Sequence, residues 1–271
     1  MVRKKLFTVF NLSLLALVVI IVFSSCSNFK KVLKSPDNEL KYKTALELYE
    51  KGDYSRALQL FDILLPVYRG TSKAETIYFD YAYCYYNQKD YLLASYFFKR
   101  YTQLYPNNKN TEEAAFKAAY CYYLDSPKYS LDQENTNEAL KELQKFVNTY
   151  PTSEKVAECN KLMDELRAKL EKKAFEIAIL FYHMESYAAA VKSFENLLAD
   201  FPEVENKEDI LFYIFKSYYE YAYKSVEEKK KERFESSLEA YNNLIYLFPD
   251  SKYVKEASVK SENVKKELNI K

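Results

Sequence analysis

The residue types that carry covalent or acid–base chemistry are scarce in this sequence. His183 is the only histidine, and it reads as a tolerated residue near a helix end rather than a general base. No serine or cysteine lies in a nucleophile-elbow context, and Cys84, Cys121 and Cys159 have neither CxxC nor Cys/His metal spacing. Aspartates and glutamates are abundant, but none stands out from solvated helix faces. With only two glycines, Gly52 and Gly70, a phosphate-cradling loop has no backbone to be built from. The expectation is a chain with no catalytic residues, no metal and no cofactor: a binding protein, not an enzyme. What the chain has in quantity is aromatic surface, 28 tyrosines and 18 phenylalanines with no tryptophan. Such rings give large contact area at low side-chain entropy cost, and tyrosine keeps a hydroxyl for a peptide backbone.

The elements that must hold these rings repeat. Tyr91, Ala94, Phe98, Tyr101 and Pro106 set a template in which a small residue and two bulky ones share a helix face and proline closes the helix. Tyr187, Ala190, Phe194, Leu197 and Pro202 reproduce every offset. Thr136, Ala139, Leu143, Phe146 and Pro151 reproduce all but the aromatic start. Phe234, Ser237, Tyr241, Leu244 and Pro249 put serine in the small slot, and Tyr54, Ala57, Phe61 and Leu64 form the first copy, with an early Pro66. The preceding helices also repeat: Phe79, Ala82, Tyr83, Cys84, Tyr85 and Tyr86 return 37 residues later as Phe116, Ala119, Tyr120, Cys121, Tyr122 and Tyr123. Cys84 and Cys121 thus occupy equivalent core positions on adjacent helices; buried free thiols are expected, with a disulfide as the alternative.

This pattern resembles the tetratricopeptide repeat, whose period is about 34 residues. The expected fold is all-α, an α-solenoid of five tetratricopeptide-type helical hairpins with a C-terminal capping helix from Tyr253 to about Leu268. The resemblance implies that certain first-helix positions line a concave groove. Mapped here they are Tyr42 and Tyr49 in repeat 1, Phe79, Tyr83 and Tyr86 in repeat 2, and Phe116, Tyr120 and Tyr123 in repeat 3. An aromatic ladder in that groove would suit an extended apolar peptide.

The N-terminus reads as targeting sequence. Arg3, Lys4 and Lys5 precede an apolar run from Leu14 to Phe23, short for a spanning helix of about 20 residues and suited to a signal peptide; apolar residues reaching back to Leu6 leave an uncleaved anchor as the alternative. Phe23-Ser24-Ser25-Cys26 resembles a bacterial lipobox, with phenylalanine where leucine is usual, and implies lipid attachment at Cys26. Ser27 rather than aspartate after the cysteine implies sorting to the outer membrane, periplasmic face. Cleavage leaves 37 basic against 39 acidic residues, a balance with no electrostatic footprint for nucleic acid.

The expected organisation is a signal peptide at 1–25, a lipidated linker at 26–36, repeats 1–3 at 37–153, and a long joining helix, repeats 4–5 and cap at 154–271. Asp37 or Asn38 should cap the first long helix. An enlarged turn at 125–136, DSPKYSLDQENT, and one helix over 154–185 acting as a rigid joint complete a pattern that resembles the BamD family of outer-membrane assembly lipoproteins. That resemblance implies a lipid-anchored adaptor. Its partners would be unfolded outer-membrane proteins in the groove, and a BamA-like barrel subunit with other assembly-complex members at repeats 4 and 5. A tetratricopeptide lipoprotein scaffolding cell-wall synthesis enzymes is the alternative. A glycan-capturing lipoprotein would need a tryptophan platform that this chain lacks.

Overall fold

The computed structural model describes residues 28–270; the signal segment and Cys26 lie outside the described residues. Every described element is helical. The order is α1 (residues 28–34), α2 (Asn38–Glu50), α3 (Tyr54–Val67), α4 (Ser72–Asn87), α5 (Tyr91–Leu104), α6 (Thr111–Asp125), α7 (Glu134–Thr149), α8 (Val156–His183), α9 (Tyr187–Asp200), α10 (Lys207–Tyr223), α11 (Glu227–Leu247) and α12 (Val254–Glu267). The five expected hairpins are α2/α3, α4/α5, α6/α7, the C-terminal half of α8 with α9, and α10/α11. The sequence expects a 154–185 helix, and α8 covers 28 of those residues without a break. The charged stretch after Tyr223 is the N-terminal part of α11. No helix among the described residues is long and apolar enough to cross a membrane.

The small-residue positions explain why hairpins form. Ala57, Ala94, Ala139, Ala190 and Ser237 are all fully buried, as are Phe61, Phe98, Leu143 and Phe194 one turn on. A Cβ-sized side chain lets two helices approach closely, and the bulky residue four positions later fills the adjoining space. The Ser237 hydroxyl, where the other repeats have alanine or its like, finds no hydrogen-bond partner among the described residues.

Three hairpin turns share one geometry. Gly52 (φ 76°), Lys89 (φ 63°) and Glu185 (φ 60°) take the left-handed conformation. In each case the next N–H donates back five residues, Asp53 to Leu48, Asp90 to Tyr85 and Ser186 to Phe181, at 2.8, 3.0 and 3.0 Å. Asp53 and Asp90 then cap the following helix, accepting from the N–H groups of Arg56 and Leu93. Two residues therefore end one helix and start the next. Repeat 3 lacks this turn and has a loop at 126–133 instead. Asp37 caps α2, accepting from Glu39 and Leu40.

The open ends of hairpins are closed by a second device. Two residues past the proline, Asn108, Ser153 and Ser251 each donate to a glutamate in or near the first turn of their own repeat, Glu75, Glu112 and Glu208, at 2.5 Å. Proline stops the helix, and the polar residue ties the exit of the hairpin to its entrance.

The chain divides into two compact units: residues 1–126 with 135–159, and residues 127–134 with 160–271. The boundary falls within α8, a few residues beyond the expected 153/154, and the repeat-3 loop belongs to the second unit. There Gln133 is buried and donates to the carbonyls of Lys128, Leu131 and Asp132, fixing the loop shape. Lys173 Nζ donates to Leu131 O at 2.6 Å, and Lys172 covers the Tyr129 ring at 4.5 Å. At the far end, α12 buries Ala257, Ser261 and Val264 and turns its charged residues outward. Tyr253, just before it, stacks on Phe212 at 3.8 Å.

Candidate peptide-binding groove

The groove candidates all belong to the first unit, on α2, α4 and α6. Within each helix they follow i, i+4 and i+7 spacing, which puts them on one face. On α4, Phe79 meets Tyr83 at 5.0 Å and Tyr83 meets Tyr86 at 5.9 Å, both edge-on. All three rest against Phe98 of α5, at 6.3, 5.0 and 6.5 Å. On α6 the contacts change to stacking: Phe116 on Tyr120 and Tyr120 on Tyr123, each at 5.6 Å. On α2, Tyr49 packs edge-on to Tyr54 at 5.8 Å and Tyr42 lies 5.9 Å from Tyr68. Seven of the eight rings are half-buried, with their bodies packed and part of each ring left to solvent.

Phe116 is the correction. Only 3 % of it is exposed, because Phe146 of α7 packs on it at 5.7 Å and Lys155 Nζ covers its ring at 5.0 Å. It supports Tyr120 by stacking and shows only a small edge to solvent. Tyr42 sits in a separate cluster, in which Tyr68 and Lys73 both bond Glu39 and Lys73 Nζ lies 5.1 Å from the Tyr42 ring.

Charged residues interleave the rings. Lys117 Nζ lies 5.9, 4.7 and 5.6 Å from the rings of Tyr83, Tyr86 and Tyr120, bridging repeats 2 and 3 by cation–π contact. The Tyr83 hydroxyl donates to Glu113 across the same boundary. Burial, reinforced by that bond, pushes the Tyr83 hydroxyl up from its ordinary pKa. Tyr49 is raised too, by burial and then by the nearby Asp80 charge. Asp80 itself is pushed up to about 7 by burial and by the Glu50 carboxylate. Near its α6 end, residues Glu112, Glu113, Phe116, Lys117, Ser153 and Lys155 line a cavity of about 420 Å³. The face is thus aromatic, with fixed charges of both signs.

Asp80, Glu113 and Lys117 are absent from the sequence expectation. A signal was available: the 37-residue register puts Asp80 and Lys117 at the same helix position, next to Phe79 and Phe116.

The three remaining thiols are free and buried. Burial pushes Cys84 and Cys121 up to about 12 and Cys159 up to about 11, well away from nucleophilic or metal-binding use at neutral pH. Among the described residues no group of His, Cys, Asp and Glu side chains is arranged to hold a metal ion.

The second unit has its own opening. A cavity of about 950 Å³ between α9, α10 and α11 has Leu198, Leu211, Ile214 and Ala240 in its lining and Glu195 and Glu239 among its polar groups.

Stacked helical hairpins with small-residue seams and an aromatic first-helix face define a tetratricopeptide-type α-solenoid. Within that class the sequence matches, over residues 34–234, the profile of the YfiO family, described as outer membrane lipoprotein, and the chain belongs to that family. A search of the curated proteins finds no match. Similar solved structures include the TPR2AB domain of yeast Sti1 in complex with pHSP90, at 12% identity and a TM-score of 0.39, covering 84% of this chain and 98% of that one. Another is the C-terminal part of a TPR repeat-containing protein from Cytophaga hutchinsonii, at 16% identity and a TM-score of 0.31, covering 84% and 93%.

Proposed function

We propose that this protein is a lipid-anchored, non-enzymatic adaptor of the outer-membrane β-barrel assembly machinery, held at the periplasmic face of the outer membrane through Cys26. The groove on α2, α4 and α6 binds aromatic-ended C-terminal segments of unfolded barrel proteins. Repeats 4 and 5 dock on the core, BamA-like barrel subunit. The observation that carries this reading is the row of half-buried rings with Lys117 set between repeats 2 and 3, in a chain that belongs to an outer membrane lipoprotein family.

The physical fit is specific to such a segment. Partly buried rings present flat apolar area that is already ordered, so little side-chain entropy is lost when a peptide binds. Tyrosine hydroxyls and Lys117 supply donors to an extended backbone that has no secondary structure of its own to satisfy its carbonyls.

The test is native co-purification of tagged protein from detergent-solubilised outer membranes, comparing wild type with Tyr83→Ala/Tyr120→Ala. A large barrel protein should accompany both, while nascent barrel substrates fall at least about 10-fold with the variant. Absence of any barrel protein from both preparations removes the assembly role and directs attention to cell-wall enzymes.

A further inference from the structure

The stretch between Cys26 and the first repeat, expected to be a linker, is in large part folded. Residues 28–34 form α1, and Phe29, Val32 and Leu33, at i, i+3 and i+4, pack against the first repeat's core around Ala57, Leu60 and Phe61. The Arg56 guanidinium lies over the Phe29 ring at 5.6 Å. The opposite side of α1 presents Lys30, Lys31 and Lys34, all exposed. None of the ion pairs among the described residues involves them.

We propose that this lysine face docks on the anionic headgroups of the lipid bilayer and seats the first repeat against the membrane. The inference rests on the reading of Cys26 as the lipid-attachment site. Phe29 lies only three positions after Cys26, at most about 11 Å of extended chain. Because Phe29 is packed, that length is the entire slack between an anchor at Cys26 and the folded repeat. With a tether this short, α1 can lie along the surface and bring its lysines within about one Debye length of the phosphates, about 8 Å at physiological salt. Each lysine–headgroup contact is weak in isolation, but the anchor makes it intramolecular, at high effective concentration. The occupant follows from shape as well as charge. Three ammonium groups on the convex side of a helix form no pocket for a single free phosphate, whereas a plane of phosphates meets all of them at once.

The test uses a chain beginning at Cys26, which retains every described residue and core cluster, coupled through Cys26 to maleimide-phosphatidylethanolamine in vesicles. Cys84, Cys121 and Cys159 are buried and out of reach of the reagent. Lysines are acetylated with an N-hydroxysuccinimide ester and quantified by mass spectrometry, with the exposed Lys43, Lys51 and Lys192 as references. On vesicles containing phosphatidylglycerol, Lys30, Lys31 and Lys34 should react at least about 5-fold more slowly than on vesicles of phosphatidylcholine alone, relative to the references. Equal protection on both vesicle types means that the short chain, not headgroup charge, shields them, and overturns the proposal. Absence of protection on either overturns it as well, and protection by inorganic phosphate without vesicles would reassign the site to a free anion. The intact mass of protein isolated from cells reports separately whether Cys26 is acylated, so failure of the anchor reading is distinguishable from failure of the lysine face.

Discussion

Asp80 is a carboxylate whose environment departs far from its ordinary chemistry. Its carboxyl is held near 7, so between about pH 4 and pH 7 the folded state keeps a proton that the unfolded state releases. Stability contributed at this site therefore falls as pH rises through that window. Asp80→Asn should melt at about the same temperature as wild type near pH 4. It should be more stable by about 1 kcal/mol near pH 8, a Tm gain of roughly 2–4 °C in thermal melts followed by circular dichroism. Ser237 is the counterpart in the second unit: a buried hydroxyl without a partner among the described residues, in a slot that the four other repeats fill with alanine. Ser237→Ala removes a desolvated polar group and keeps the volume, so a gain of about 1 kcal/mol in urea unfolding is expected. Neither environment was legible in the sequence. An alternation of apolar and small residues locates a side chain on a face, but the proximity of Glu50 to Asp80, or the lack of any acceptor near Ser237, depends on neighbours from other helices.

At the scale of the helix, the hairpins were legible because one small residue, two bulky ones and a terminating proline recur at fixed offsets. The left-handed residue of the turn was only partly so. Gly52 announces it, whereas Lys89 and Glu185 occupy the same conformation with side chains that pay for it in strain. Lys89→Gly should then be neutral to stabilising, by up to about 1 kcal/mol, and Gly52→Ala destabilising by a similar amount, measured as urea midpoints at unchanged slope. The packing of α1 was missed for a different reason. Phe29, Val32 and Leu33 have the right spacing, but seven residues are too few for periodicity to distinguish a docked helix from a polar tether. Phe116 was misplaced because the first-helix offsets say nothing of Lys155, which reaches its ring from the start of the next helix.

Across the whole molecule, the buried side of the array carries a consequence for the thiols. Cys84, Cys121 and Cys159 are sealed by their own repeats, so Ellman's reagent should leave them unmodified in native buffer and titrate all three in guanidinium chloride. Their labelling rate would then report opening of the fold. While the fold stays closed, burial also holds each thiol well above its ordinary pKa, so little thiolate is present at neutral pH. Free thiols such as these three are ordinarily a hazard wherever the surroundings are oxidising, since mispaired bridges trap misfolded chains. Here the safeguard is a matter of timing. Neighbouring-repeat contacts are short in sequence, and such contacts form early, so the hairpins would close over their sulfurs early in folding. The same contacts that build the solenoid would thereby keep these thiols out of an oxidant's reach with no disulfide to hold them.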